Sequence, residues 1–161
     1  MLEWNYKVIL GGKIMEIKDI LRNLREKTGL TQEQMARRVM VTRQAVSRWE
    51  NGETQPNTDT LKLLSREFDV SINTLLGSPR QLFCQCCGMP LNEDSLISKE
   101  TDGSFNEDYC KWCYDNGKFT YASKESLLDF LVSNMPNPDN SADEERRKQF
   151  DAFLSTLKHW V

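Results

Sequence analysis

The chain has 161 residues, of which 39% are hydrophobic, 28% charged and 9% aromatic, with a net charge of −3, a mixture that excludes disorder throughout. No run of apolar residues exceeds three, which excludes a transmembrane helix, and Val8-Ile9-Leu10 is too short to be the core of a secretory signal. The expected compartment is therefore the cytoplasm, with no membrane partner, and five cysteines confined to residues 84–113 point to metal or redox chemistry rather than a disulfide framework.

Charge divides the chain near Pro79. Residues 13–79 carry eleven Lys and Arg against nine Asp and Glu, a balance of +2, whereas residues 81–161 carry eight against fourteen, a balance of −6. A polyanion is expected to meet the front half and be repelled by the back half. The division predicts an N-terminal extension at 1–15, a first domain at 16–77, a linker at 78–81 and a second domain at 82–161.

In chain order, Gly11-Gly12-Lys13-Ile14 is what a purine-rich ribosome-binding site spells in frame, so Met15 is the expected start of translation. The alternative is an N-terminal strand or arm built from Trp4, Tyr6, Val8 and Ile9. Ile17, Ile20, Leu21 and Leu24 then form the stripe of a helix over about 17–28 that Gly29 can end in a left-handed cap. Thr31 and Gln34 make a capping box for a helix over about 32–39 with Met35, Ala36 and Val39 inside. Thr42 caps a third helix ending at Asn51-Gly52, and Asn57 and Ser71 cap two more, with Leu61, Leu64, Phe68, Ile72, Leu75 and Leu76 facing inward. Five short helices predict a small all-α domain.

At 100° per residue the third helix places Arg43, Gln44, Ser47 and Arg48 on one arc and Ala45, Val46 and Trp49 on the other. An Arg fork can bond guanine O6 and N7, and a Gln amide can bond adenine N6 and N7, so this arc can read bases in a major groove; the alternative is an ordinary solvated face.

The block Gly29-Leu30-Thr31-Gln32-Glu33-Gln34-Met35-Ala36, followed by Val41-Thr42-Arg43-Gln44-Ala45-Val46-Ser47-Arg48-Trp49-Glu50-Asn51-Gly52, with Pro56 and Leu61 downstream, resembles the Cro/repressor-type, XRE-like helix-turn-helix family over about 16–77. The resemblance implies a five-helix lambda-repressor-like fold and operator DNA as partner. It carries base contacts to Arg43, Gln44 and Arg48, with Ser47 as a further candidate, and phosphate contacts to Gln32, Thr42 and Asn51. Glu50 is expected to hold the turn after the reading helix, since a carboxylate facing phosphates is repelled. Met40 stands where the family often has Gly, at an expected cost on the order of 1 kcal/mol if its φ is positive.

In the back half, Cys84 and Cys87 form one C-x-x-C, and Cys110 and Cys113 another, with 22 residues between the pairs. Two such pairs suit one tetrahedral, closed, structural Zn²⁺ per chain. Cys86 is left over. It is expected to be either an exposed redox-reactive thiol beside a zinc-bound thiolate or a small residue tolerated on a turn. Between the pairs a loop or hairpin is expected around Gly103, with Phe105, Tyr109, Trp112, Tyr114, Phe119 and Tyr121 shielding the metal. Beyond them, Ser123 starts a helix with Leu127, Leu128, Phe130 and Leu131 as its apolar positions, and Met135-Pro136 breaks it. Ser141 and Glu144 form a capping box for a last helix with Phe150, Phe153, Leu154 and Leu157 on one stripe.

The run Cys84 to Leu91, with Glu107 to Tyr114, Gly117 to Thr120 and Leu157-Lys158-His159-Trp160, resembles a bacterial zinc-ribbon family over about 82–161. That resemblance supports zinc ligation by Cys84, Cys87, Cys110 and Cys113. The whole chain is thus expected to be mainly α, with a small zinc-ribbon domain and C-terminal helices after the DNA-binding domain. The expected function is a non-enzymatic, sequence-specific transcriptional regulator that binds double-stranded operator DNA as a homodimer, its zinc module serving dimerisation, partner contact or signal input. The alternatives are an antitoxin-like protein that binds a partner through its acidic back half and represses its own operon, or a zinc/thiol redox-responsive regulator.

Overall fold

The computed structural model describes residues 15–77 and 81–161. The expectations for the extension before Met15, and for most of the linker, lie outside the described residues. The chain divides into two compact units between Gln81 and Leu82.

The first unit contains α1 (Ile17–Lys27), α2 (Gln32–Arg38), α3 (Arg43–Asn51), α4 (Thr58–Phe68) and α5 (Ile72–Leu75). Each of the last four helices begins where a side-chain oxygen satisfies an orphan amide. Thr31 accepts from Gln34 N while Gln34 bonds back to Thr31 N, and Thr42, Asn57 and Ser71 accept from the amide three residues on. The helices bury Leu21, Met35, Ala36, Val39, Val46, Trp49, Leu61, Leu64 and Leu75 in one core. Leu76 departs from expectation and is exposed, because α5 ends at Leu75 and the single turn carries Leu76 past its buried face. Met40 adopts φ 54° in the turn between α2 and α3 and is 76% exposed, so the strained conformation gains no burial.

The second unit opens with a knuckle at Cys84–Cys87, closed by Cys84 N donating to Met89 O at 2.8 Å and Leu91 N to Leu82 O at 2.8 Å. Strands β1 (Ile97–Lys99) and β2 (Phe105–Cys110) pair antiparallel around Gly103, with a bulge between Ile97 and Ser98. Strands β3 (Tyr114–Asp115) and β4 (Lys118–Phe119) form a second hairpin through Asn116 and Gly117, both at positive φ as a type I′ turn requires. Helices α6 (Lys124–Asn134) and α7 (Asp143–Leu154) then pack together, and a 3-10 turn, Lys158–Trp160, follows. Buried Arg146 of α7 ties the pair by donating to Val132 O and Met135 O, each at 2.7 Å.

Here too some side chains fall elsewhere than expected. Ser141 does not cap α7: Asn137 brackets its backbone, accepting from Ser141 N at 3.0 Å and donating to Ser141 O at 2.9 Å, and the cap position falls to Ala142. Asp143, Glu144 and Glu145 instead complement the positive end of the helix. Phe130, Phe153, Trp112 and Phe119 are substantially exposed, while Leu127, Leu128, Leu131, Leu154 and Leu157 enter the core with Cys84, Cys86, Cys110 and Cys113.

Candidate nucleic-acid interface and metal centre

Helix α3 is fixed from beneath and presents its polar arc outward. Val46 and Trp49 are buried, whereas Arg43, Gln44 and Arg48 are exposed and Ser47 is half-buried. Among the described residues neither Arg43 nor Gln44 has a hydrogen-bond or ion-pair partner, so their donors and acceptors face solvent unspent.

Glu50, at the end of α3, is 2% exposed and faces the core side. Arg25 Nε donates to its Oε1 at 2.6 Å, Arg25 Nη2 to its Oε2 at 3.1 Å and Gln32 Nε2 to Oε2 at 3.0 Å. Arg22 Nη2 donates to Glu50 O at 2.6 Å. Burial pushes the carboxyl's pKa upward, but the hydrogen bonds from Arg25 and Gln32 outweigh it and hold Glu50 below its ordinary value. This cluster joins α1, α2 and α3, so Glu50 locks α3 in place and does not face outward.

Thr42 is exposed and its Oγ1 accepts from Ala45 N at 3.2 Å, which leaves the hydroxyl proton free to donate. Gln32 uses one amide N–H on Glu50 and retains the other. Asn51 Nδ2 donates to Glu53 Oε1 at 3.4 Å, and Arg48 Nε lies 4.0 Å from Glu53 Oε2. Glu53 was not singled out from the sequence. The acidic residue just past Gly52 was the available signal.

In the second unit the Sγ atoms of Cys84, Cys87, Cys110 and Cys113 all lie within 4.8 Å of one another. The Cys87 and Cys110 sulfurs are 3.9 Å apart, close to the spacing of about 3.8 Å that four thiolates at about 2.3 Å from one tetrahedral ion would have. Three of the four are buried and Cys87 is half-buried, so the cluster forms a closed cage. As thiols they compete for protons. Hydrogen bonds from Cys110, Cys113 and Cys87 drive Cys84 well below the ordinary thiol range, and the Cys110 contact drives Cys113 well above it. A divalent cation would relieve this competition by replacing the protons.

Two features close the cage from outside. Gly88 stands at φ +76°, and a Cβ there would lie 2.3 Å from the Phe153 ring, so α7 rests directly on the first knuckle. Trp160 Nε1 donates to Cys86 O at 2.7 Å, and His159 N donates to Gln85 O at 3.2 Å. His159 packs on Phe119 and Trp160, each with centroids 4.3 Å away, and burial holds its pKa below the ordinary value. It belongs to an aromatic cluster rather than to the thiol cage.

Cys86 corrects the expectation of an exposed thiol. Its relative exposure is 0%, because its side chain is part of the core that Leu154 and Leu157 help to form.

Two known families match separate stretches of the chain. Residues 21–75 match the family described as "Helix-turn-helix", and residues 83–161 the family described as "Putative zinc ribbon domain". The HTH-type transcriptional activator BcrR of Enterococcus faecalis is 45% identical over 63 residues, covering 39% of this chain and 31% of that protein. The antitoxin PezA of Streptococcus pneumoniae is 32% identical over 62 residues, covering 38% of this chain and 39% of that protein. The chain thus spans about a third of the length of these curated relatives. Among solved structures, the P22 c2 repressor in complex with a synthetic operator is 32% identical, covering 38% of this chain and 94% of that one, with a TM-score of 0.38.

Proposed function

From a chain that joins a helix-turn-helix domain at 21–75 to a zinc-ribbon domain at 83–161, we propose a sequence-specific transcriptional regulator whose α3 enters the major groove of operator DNA. Arg43, Gln44 and Arg48 address base edges, with Ser47 beside them. Gln32, Thr42 and Asn51 bond phosphates and fix the register of the helix on the duplex. The observation that carries this reading is the outward state of Arg43 and Gln44, unpartnered among the described residues, on a helix that Glu50 clamps to α1 and α2.

One such surface reads only a few base pairs, so the operator is an inverted repeat bound by a homodimer. The four-cysteine cage takes Zn²⁺ and closes it from water. The ion supplies folding energy, while Cys84, Cys87, Cys110 and Cys113 hold together the two knuckles around which α6, α7 and the C-terminal turn pack. The second domain, net −6 in its residues, is a poor DNA binder and serves dimerisation, partner contact or signal input. A cytoplasmic setting supplies both DNA and reduced thiols.

The test is selection from a random duplex library with the zinc-loaded chain, followed by footprinting. Enrichment of a two-fold-symmetric sequence is the expected result, and enrichment of none removes the reading.

An antitoxin-like role is a second reading, favoured by the likeness to PezA and by the acidic back half. A stable stoichiometric partner on purification from the native cell would favour it.

A further inference from the structure

Arg48 is offered above as a base contact, yet a carboxylate stands beside it. The C-terminal turn of α3 explains how. Gly52 takes φ 77°, and Glu53 N then donates to Arg48 O at 2.9 Å, so the backbone of Glu53 is tied to Arg48 itself. From that anchor one carboxylate oxygen reaches Asn51 Nδ2 at 3.4 Å and the other lies 4.0 Å from Arg48 Nε. Both partners of the ion pair are exposed, at 63% and 57%, so in the free protein water screens it heavily.

On DNA the same contact has a consequence. A guanidinium has two bidentate edges, one made of Nε and an Nη, the other of the two Nη groups. The Glu53 carboxylate lies beside the first, 4.0 Å from Nε and beyond hydrogen-bond reach. The other edge points along the side chain and matches guanine O6 and N7. A carboxylate near phosphates is otherwise unfavourable, and where DNA excludes water its attraction to Nε of Arg48 strengthens, offsets that repulsion and draws the first edge away from the phosphates.

We propose that Glu53 is a positioning residue that directs Arg48 to guanine and away from phosphate, and so sets specificity at one base pair of each half-site. The proposal rests on the reading of α3 as the DNA-reading helix. It extends that reading to a residue outside the polar arc.

The experiment is selection from a random duplex library with four zinc-loaded proteins: wild type, Arg48→Ala, Glu53→Ala and, as a charge control remote from α3 in sequence, Glu67→Ala. Circular dichroism of each protein establishes that it is folded. The base pair at which Arg48→Ala loses its guanine preference identifies the position read by Arg48. At that position Glu53→Ala is expected to lose guanine preference by about tenfold, with the other positions unchanged and binding to random duplex slightly stronger. Glu67→Ala should match wild type. A Glu53→Ala profile identical to wild type, even with tighter binding to all DNA, would overturn the proposal, since Glu53 would then only repel the backbone. Loss of preference at every position alike would overturn it too, as a general fold effect. Failure of the wild type to enrich any sequence would remove the DNA-reading assignment itself and the proposal with it.

Discussion

Trp160 and Cys86 are 74 residues apart in sequence, and the indole Nε1 of the first donates to the backbone carbonyl of the second at 2.7 Å. The carbonyl belongs to the first C-x-x-C knuckle, between Cys84 and Cys87, so the C-terminal turn is docked on the loop that supplies half of the thiol cage. Lys158 reinforces it, its Nζ donating to Asp108 Oδ2 at 2.7 Å and its backbone N to Gln85 Oε1 at 3.3 Å.

Metal removal should therefore release Trp160. Chelation at neutral pH is expected to free one zinc per chain and shift the tryptophan emission to longer wavelength, with the part contributed by Trp160 missing in Trp160→Phe. Metal analysis should show zinc lost from Cys84→Ser, Cys87→Ser, Cys110→Ser and Cys113→Ser and kept by Cys86→Ser. Equal zinc retention in Cys84→Ser and Cys86→Ser would remove the ligand assignment.

Burial gives Cys86 a distinct chemical signature. In the zinc-loaded protein its alkylation by iodoacetamide should be slow, and it should become fast once chelation opens the core. Rapid alkylation with zinc still bound would restore the exposed redox thiol that the structure argues against.

Gly88→Ala should destabilise the second domain by about 1–3 kcal/mol, from a left-handed φ and a methyl group driven into Phe153. Phe153→Ala in the same chain should recover the steric part and leave the conformational part. Urea unfolding of the two single variants and the double variant separates them, and strict additivity would mean that the ring does not press on the knuckle.

Much of this architecture was legible because it depends on local chemistry. Thr31, Thr42, Asn57, Ser71 and Ser123 each accept from the amide three residues on, and the paired cysteine spacing brings four sulfurs within 4.8 Å. Ser141 does not cap α7 because the helix starts one residue later, with Ala142 at the cap position and the Ser141 backbone held by Asn137, a contact no motif announces. The burial of Cys86 and the exposure of Phe130 and Phe153 depend on which elements pack across the thiol cage, and helical periodicity does not contain that information. Asn116-Gly117 is different: an Asn-Gly pair is a strong hairpin signal, and the β3–β4 hairpin could have been read from it.

The Glu50 cluster makes the first domain sensitive to acid. A carboxyl whose folded pKa lies below its unfolded value of about 4.3 contributes stability that is fully present above that value and is lost as pH falls through the folded pKa. Hydrogen exchange in α1 and α3 should thus accelerate as pH drops below about 4, after correction for intrinsic rates. In Glu50→Gln that acid response should be blunted, with stability at pH 7 lowered by about 3 kcal/mol, because Arg25 loses its buried partner. An unchanged acid response in the variant would assign the effect to other carboxylates.

The central claim, that α3 reads operator DNA through Arg43, Gln44 and Arg48, is tested most directly by one set of affinities. Wild type and the three single alanine variants, all zinc-loaded and at one fixed salt concentration, are titrated with the enriched duplex and with a random duplex. Each variant should lose roughly 1–3 kcal/mol on the enriched duplex and clearly less on the random one, because base contacts carry sequence information and phosphate contacts do not. Equal losses on both duplexes, or no loss on either, would contradict the claim.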